Sequence, residues 1–364
     1  MNPGDVLTGG DDRPPSRSRR GLVALVVLAL ALGVPALVHS NRDRPAPITV
    51  VAPPTRSTVV SVAVGTRWAY ALVSTCDGRI VHECDYRLHR RSFSTPGWQA
   101  LPMHVTGRTT TSLDISLRVT PDDRVILVDD STVYASADGG ATVTTAHLRP
   151  GRPVAVLPPG AVLATGLCAS CGSTVTVLDP VSGELSALRS QPRFTAFGLQ
   201  LAEADGPVLW AAQVGPRGGS TAVSPDGGRT WRTIPLAGGM VTTGAVLLTT
   251  VPGGGAYLIG RRAGTDLPDV RRIDSPAGTW RRLTPPTGPV AAYSAVADER
   301  GLLIGDGDGH AWRLMADGSF LQLTATPGFL AGGPGRLLLG LPTTPGTVLV
   351  SYDGGVSWRD ERVG

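Results

Sequence analysis

The sequence predicts an all-β protein in which seven four-stranded sheets follow one another, preceded by a single apolar segment near the N-terminus. Three observations support this prediction. A turn motif recurs at regular intervals, short β-branched segments alternate with glycine and proline, and no amphipathic helical period follows residue 40. Repeats of about 40 to 50 residues are typical of propeller blades, so we expect a seven-bladed β-propeller with an N-terminal transmembrane helix.

The turn motif reads Ser-x-Asp-x-Gly-x-Thr/Ser-Trp and occurs three times. Its key positions, in chain order, are Ser136, Asp138 and Gly140, then Ser224, Asp226, Gly228 and Trp231, and finally Ser351, Asp353, Gly355 and Trp358. Val143 replaces the tryptophan of the first copy. An Asp side chain accepts hydrogen bonds from backbone N–H groups ahead of it, and Gly supplies a positive φ. We therefore expect each copy to be a tight turn between the third and fourth strands of a blade.

The motif resembles the Asp-box, the hairpin signature of sialidase-like and sortilin-like β-propellers and of the photosystem II assembly factor propellers. In that family the box is architectural and lies away from the substrate face. The resemblance therefore implies a structural role for the box residues.

The intervals between the boxes predict the number of blades. Asp138 and Asp226 are 88 residues apart, and Asp226 and Asp353 are 127 apart, which leaves room for two and three units. Degenerate turns fill these gaps. One turn-exit residue per unit gives the series Trp98, Val143, Leu185, Trp231, Trp280, Phe320 and Trp358. Residues 58–364 are thus expected to form seven blades, with a two-sheet sandwich as the alternative.

The apolar segment, residues 21–38, is long enough to cross a bilayer as a helix, rising about 27 Å in all. Arg17, Arg19 and Arg20 precede it, so residues 1–20 are expected to form a cytoplasmic basic tail. Residues 39–57 then form a proline-rich linker, and the propeller lies outside the cell membrane. Cleavage as a signal peptide or twin-arginine signal is the alternative, and it would yield a secreted protein.

The four cysteines suit an exported chain. An even number of cysteines in such a chain favours disulfides. Because the first and third blades are not adjacent, we expect local pairing of Cys76 with Cys84 and of Cys168 with Cys171. Cys168 and Cys171 also match the spacing of redox motifs and zinc sites, and these stay open as alternatives.

The charge pattern argues against nucleic acid as a partner. All 33 basic residues are arginines, and after residue 40 they nearly balance the acidic residues. The adjacent pairs Arg90-Arg91, Arg261-Arg262, Arg271-Arg272 and Arg281-Arg282 are expected to be solvated edge residues.

Catalysis is disfavoured by what the sequence lacks. The sialidase-like family also carries Arg-Ile-Pro, two further arginines, a Tyr–Glu pair and an acid/base Asp, and this set is not found here. A carboxylate-pair glycosidase needs two inward acids, whereas the predicted inner strands supply only Asp114. Glu299 lies near Tyr293 but in a turn. Asp306, Asp308 and His310 are interpreted as a hairpin turn rather than a calcium loop.

These observations predict a non-catalytic, membrane-anchored extracytoplasmic propeller that binds a protein or glycan. Its membrane contact is residues 21–38, and we assign no catalytic, cofactor-binding or metal-binding residue. The alternatives are a sialidase-like exo-glycosidase and an extracytoplasmic assembly factor or scaffold. The loops between the second and third strands of each blade are expected to form the ligand face, and they include the loop of Cys76 and Cys84 in the first blade and that of Cys168 and Cys171 in the third.

Overall fold

A computed structural model describes residues 56–76, 83–108, 115–129, 131–165, 174–194, 199–215, 218–236, 240–241, 246–262, 268–283, 294–298, 300–305, 310–315, 317–323, 329–332, 337–341 and 344–364. The predicted cytoplasmic tail, transmembrane helix and linker lie outside these residues, except that Arg56 and Ser57 already belong to the first strand. Within these ranges, no helix of the length and apolarity needed to cross a membrane is found.

The described residues form 29 β-strands in seven sheets. The first blade holds β1 (Arg56–Val64), β2 (Trp68–Cys76), β3 (Glu83–Ser92) and β4 (Gln99–Arg108). The second holds β5 (Ile115–Val119), β6 (Val125–Asp129), β7 (Thr132–Ser136) and β8 (Thr144–His147). The third holds β9 (Arg149–Pro150), β10 (Val162–Leu163), β11 (Thr176–Leu178) and β12 (Glu184–Ala187). The fourth holds β13 (Leu199–Asp205), β14 (Val208–Gly215), β15 (Gly218–Ser224) and β16 (Arg232–Pro235).

The fifth sheet is the one with five strands, β17 (Met240–Val241), β18 (Leu247–Val251), β19 (Gly255–Arg262), β20 (Pro268–Ile273) and β21 (Arg281–Arg282). The sixth holds β22 (Ser294–Asp298), β23 (Gly301–Gly305), β24 (Ala311–Leu314) and β25 (Phe320–Leu323). The seventh holds β26 (Phe329–Gly332), β27 (Leu338–Leu341), β28 (Thr347–Ser351) and β29 (Arg359–Arg362). The prediction of an all-β, seven-bladed β-propeller is confirmed.

Most blades are antiparallel meanders whose strands follow chain order from the centre outward. The second strands are continuous apolar runs because each is covered on both faces by a neighbouring blade. In β6, Ile126 and Val128 pack toward the third blade, whereas Val125 and Leu127 pack toward the first. This division follows from the two-residue period of a strand, which sends successive side chains to opposite faces.

Seven apolar clusters lie between the seven pairs of neighbouring blades, and the last of these pairs closes the ring. At this seam, Val62 and Ala71 of the first blade pack with Leu339 and Val350 of the seventh. The seventh sheet contains only its own four strands. Side chains, and not a shared sheet, therefore join the two ends of the ring.

The third blade departs from the sequence prediction. Its fourth position is taken by β9, which precedes the other three strands in the chain and runs parallel to β12. The turn before Leu185 consequently joins the second and third strands, not the third and fourth. The prediction failed here because it inferred the order of the strands from successive turns. β9 precedes β10 in the chain, so no turn connects it to β12, the strand it pairs with.

Candidate functional site

A channel runs along the axis of the ring and encloses a cavity of about 970 Å³. All seven blades contribute to its wall through their innermost strands or the segments next to them in the chain. Most of the described lining is small and apolar, with Val, Ala, Leu and Gly predominating. The charged residues among the lining are Arg118, Asp122, Arg124, Glu203, Asp205 and Asp298. They fall on the second, fourth and sixth blades.

Arg118 on β5 reaches across the inner edge of the third blade. Its Nη1 donates to the carbonyl of Leu163 at 3.0 Å, and its Nη2 donates to the carbonyl of Thr165 at 3.3 Å. The inner strand β10 has only two residues and no further strand on its channel side, so its edge carbonyls need other donors. The Arg118 guanidinium supplies them.

Glu203 on β13 is the carboxylate of this wall with the loosest cation partner. Its Oε1 lies 3.8 Å from Arg118 Nη2, and 38% of its side chain is exposed to the channel. Burial within the ring raises the pKa of the Glu203 carboxyl, and the positive charge of Arg118 opposes that shift. The ionised form is thus less stabilised here than in open solvent.

The other carboxylates of the wall have closer partners. Asp205 Oδ2 accepts from the backbone N–H of Gly254 at 3.1 Å. Asp298 Oδ1 accepts from Arg313 Nη1 at 2.8 Å, and both side chains are buried. Asp122 Oδ2 lies 2.8 Å from Arg124 Nε. Each of these three carboxylates thus accepts a hydrogen bond or a close ion pair, whereas the ion pair of Glu203 is a longer one.

The three box motifs form turns with the same hydrogen bonds. In the second copy, Ser224 Oγ donates to Asp226 Oδ1 at 2.8 Å and accepts from the backbone N–H of Gly228 at 2.7 Å. Asp226 also accepts from the backbone N–H of Thr230 at 2.9 Å and from its hydroxyl at 2.7 Å. Ser136 with Asp138 and Ser351 with Asp353 repeat this arrangement.

Both glycines of each box take a positive φ, from 70° to 97°. A side chain would strain either position. At Gly140 and Gly228, an added Cβ would also lie 2.4 Å from a leucine methyl group, that of Leu101 and Leu188 respectively. The second glycine therefore allows the turn to pack directly against the preceding blade.

The hydrogen bonds of the boxes set the acidity of their aspartates. Those from the backbone and hydroxyl of Thr142 and from Ser136 lower the pKa of Asp138 to about 2. For Asp226 and Asp353, burial acts in the opposite direction, yet the hydrogen bonds from the neighbouring hydroxyls and N–H groups still lower each pKa to about 2.

The boxes lie at the end of the ring where the first and second strands also turn. The backbone N–H of Gly227 donates to the carbonyl of Pro207, in the turn between β13 and β14, at 2.8 Å. Box backbone also binds the preceding blade, since Arg90 Nη1 donates to the carbonyl of Gly139 at 2.9 Å and Arg313 Nη2 to that of Gly354 at 2.6 Å. The described channel lining contains none of the box residues.

The predicted disulfide between Cys76 and Cys84 is confirmed, and it joins the ends of β2 and β3. Cys168 and Cys171 lie outside the described residues. The strands that flank them, β10 and β11, are the first and second in their sheet, not the second and third as predicted. Much of the predicted ligand face also lies outside the described residues, in the segments 77–82, 216–217, 263–267 and 306–309.

Two predictions about charged residues are wrong. Arg91 and Arg271 are not solvated edge residues, since their side chains are only 11% and 4% exposed and pair with Glu361 and Asp269. The inner strands also offer more acid than expected, because β13 carries Glu203 into the channel. When an Arg or Glu is flanked in the sequence by small apolar residues, the sequence does not show whether its side chain will face the channel. Asp114 and Glu299 are outside the described residues.

The described ranges contain no group of three or more His, Cys, Asp or Glu side chains placed to hold a metal ion. The channel wall offers a cavity lined mostly by small apolar residues, backbone groups along the inner strand edges, and the pair of Arg118 and Glu203. Such an arrangement is suited to holding an extended ligand through hydrogen bonds and one charged contact.

Fold and channel together define the class of this protein as a seven-bladed β-propeller. No family model matches the sequence, and no curated protein matches it. Among solved structures, one from a study of two prolyl endopeptidases is 12% identical, with 84% of this chain and 50% of that chain covered and a TM-score of 0.51.

Two further structures are similar at lower TM-scores. YCF48 from Cyanidioschyzon merolae is 14% identical, with 85% of this chain and 87% of that chain covered and a TM-score of 0.35. BamB from Moraxella catarrhalis is 17% identical, with 81% and 82% covered and a TM-score of 0.40. At these identities the likeness is one of fold.

Proposed function

We propose that this protein is a non-catalytic, membrane-anchored binding module that holds an extended segment of an extracytoplasmic protein partner in its central channel. The observation that carries the proposal is the channel itself, a cavity of about 970 Å³ walled by all seven blades. Interblade packing makes this wall rigid, so binding would need little reorganisation.

The chemistry of the wall favours a peptide over a sugar. The described lining includes no aromatic side chain on which a sugar ring would stack. The inner strands do present free backbone edges, which are suited to an extended peptide. YCF48 has been solved with D1 peptide bound.

The non-catalytic part of the proposal is supported by how the wall carboxylates are used. A glycosidase needs an acid and a second carboxylate flanking the scissile bond. Asp122, Asp205 and Asp298 are each already bonded to a guanidinium or a backbone N–H, which leaves Glu203 without a free partner acid.

Two tryptophan substitutions in the full chain test the site. Ala204 is exposed and lines the channel, so Ala204→Trp fills part of the cavity. Val181 is 68% exposed outside the lining, so Val181→Trp adds the same bulk elsewhere. Twelve-residue peptides selected from a phage-displayed library on the wild type should bind Val181→Trp unchanged and Ala204→Trp at least tenfold more weakly.

Equal binding to Ala204→Trp and the wild type would contradict the proposal. Binding to a glycan array that Ala204→Trp abolishes, without any peptide selected, would favour the glycan alternative. Equal melting temperatures of the two variants show that both are folded.

Membrane anchoring is proposed from the apolar segment 21–38 and the arginines before it, and the Cys76–Cys84 disulfide supports an oxidising compartment. In intact cells, an added protease should digest the propeller, and alkaline carbonate should leave the full chain in the membrane pellet. A protected propeller would contradict the extracytoplasmic placement. Release into the supernatant would favour the cleaved, secreted alternative.

A further inference from the structure

We propose that the channel recognises a basic side chain of its peptide ligand, a lysine ammonium or an arginine guanidinium, with the Glu203 carboxylate as its acceptor. This inference rests on the proposed function and names the chemical class that the channel selects.

Glu203 faces the cavity with a charge that its neighbours leave poorly compensated. The 3.8 Å between Oε1 and Arg118 Nη2 is longer than a hydrogen bond. Burial raises the pKa of this carboxyl, so the ionised form is held in a setting that disfavours it. A ligand cation at hydrogen-bond distance would relieve this deficit through a charge-assisted bond.

Arg118 is held at this distance from Glu203 by two hydrogen bonds to the third blade. Nη1 and Nη2 donate to the carbonyls of Leu163 and Thr165 on the third blade. Moving the guanidinium to Glu203 would leave those edge carbonyls without their donor, which is unfavourable.

The remaining charges of the described wall also favour a cation over an anion. Asp122, Glu203, Asp205 and Asp298 line the channel together with the guanidinium groups of Arg118 and Arg124, and the buried Arg313 pairs with Asp298, which leaves an excess of one carboxylate. A ligand anion would meet this carboxylate excess, whereas a cation would be attracted by it. Thr249 and Thr250 on the neighbouring fifth blade add hydroxyls to the same wall.

A basic side chain is favoured over a free metal ion because Glu203 does not belong to any described group of three acidic, His or Cys ligands. An ammonium or guanidinium, in contrast, needs few charged acceptors and takes its other hydrogen bonds from hydroxyls or backbone carbonyls. The methylene stem of such a side chain also fits a wall made mostly of Val, Ala and Leu.

The test uses the twelve-residue phage library on the full-length wild type and on Glu203→Gln, which keeps the shape and removes the charge. Asp360→Asn is the matched control, because Asp360 is exposed on the outer strand β29. Peptides selected on the wild type should contain a lysine or arginine whose replacement by norleucine weakens binding at least tenfold. On Glu203→Gln that replacement should change binding less than twofold, and on Asp360→Asn it should still cost at least tenfold.

Three results would overturn the inference. These are wild-type peptides that tolerate norleucine, a basic-residue preference that survives in Glu203→Gln, or a preference that disappears when EDTA is added. The norleucine comparison on the wild type needs no variant, so it decides the matter even if Glu203→Gln does not fold. Peptides that Ala204→Trp excludes but that show no basic preference would refute this inference and leave the proposed function standing. Peptides that Ala204→Trp does not affect would refute the proposed function itself.

Discussion

One aspartate organises each of the three box turns. Each box Asp accepts hydrogen bonds from the Ser two residues before it and from the Thr or Ser four residues after it. One carboxylate thus fixes both arms of a hairpin turn. The glycines between the arms take the positive φ values that this path requires.

Replacing one of these aspartates should destabilise the ring. Asp226→Ala removes the acceptor of Ser224 Oγ and of two Thr230 donors, and we expect the free energy of unfolding to fall by about 1 to 3 kcal/mol. Urea denaturation measures the change. Asp360→Ala, which removes an exposed carboxylate from β29, should leave the unfolding curve within error. An unchanged curve for Asp226→Ala would refute the turn-stabilising role.

The box aspartates should also make the ring acid-sensitive. Their pKa values are lowered from 3.8 to about 2, so the folded state binds fewer protons than the unfolded state in this range. The stability they contribute is full above about pH 4 and is lost as the pH falls toward 2. Melting temperature measured against pH should drop in this window. In Asp138→Asn, Asp226→Asn and Asp353→Asn combined the drop should be smaller, and an equal drop would contradict the assignment.

The box residues could be predicted from the sequence because their pattern is local. Ser, Asp, Gly and Thr act on one another within seven positions, so the turn can be predicted without knowing the rest of the fold. The channel positions of Arg118 and Glu203 could not be predicted from the sequence, for the opposite reason. Their partners lie on other blades, 45 residues away for the Leu163 carbonyl and 85 for the Arg118–Glu203 pair.

At the scale of elements, the seam between the first and last blades carries a partly buried ion pair. Arg91 Nη1 lies 2.7 Å from both carboxylate oxygens of Glu361, and its guanidinium stacks 5.3 Å from the centre of the Tyr352 ring. The Tyr352 hydroxyl donates to Glu361 at 3.2 Å. These three side chains connect β3 to the last hairpin of the ring.

Breaking this pair should loosen the seam. Arg91→Met or Glu361→Gln should each lower the free energy of unfolding by about 1 to 3 kcal/mol, since both groups are largely removed from solvent. The double variant should cost clearly less than the two single changes together, which a double-mutant cycle measures. Arg362→Met, at an exposed position of β29, is the control. Additive effects would mean that the pair does not couple the blades.

The elements themselves were predictable where each blade repeats the same order of strands and turns. Trp98, Trp280 and Phe320 do follow turns between the third and fourth strands of their blades, although their boxes are degenerate. The third blade broke the pattern because β9 and β12 pair in parallel. A two-residue strand with one proline carries too little hydrophobic pattern to reveal its partner.

At the scale of the whole molecule, spacing alone was sufficient to count the blades. Each blade needs about the same length of chain, and each must cover the apolar faces of two others. The seven interblade clusters meet this requirement around the entire ring. The chemistry of the channel could not be predicted in this way, because it depends on which single residues of seven distant segments meet at the axis.

The carboxylates of the channel wall also predict the absence of glycosidase activity. Among the described lining residues, Asp122, Asp205 and Asp298 are bonded to a guanidinium or a backbone N–H and Glu203 lies 3.8 Å from Arg118, whereas a glycosidase needs two carboxylates that flank the scissile bond. The purified full chain should release no fluorophore from aryl sialosides or other aryl glycosides above the rate in buffer. Turnover that disappears in Glu203→Gln, Asp114→Asn or Glu299→Gln would refute the binding-module proposal in favour of the enzyme.

The seam between the first and seventh blades bears on circular permutation of the ring. Because packed side chains join blades one and seven, as they do every other pair, the position of the chain ends is not dictated by the sheets. A gene rearranged to start at any other blade boundary, with a short peptide joining residue 364 to residue 56, should encode the same ring. The architecture of the ring is in that sense circular.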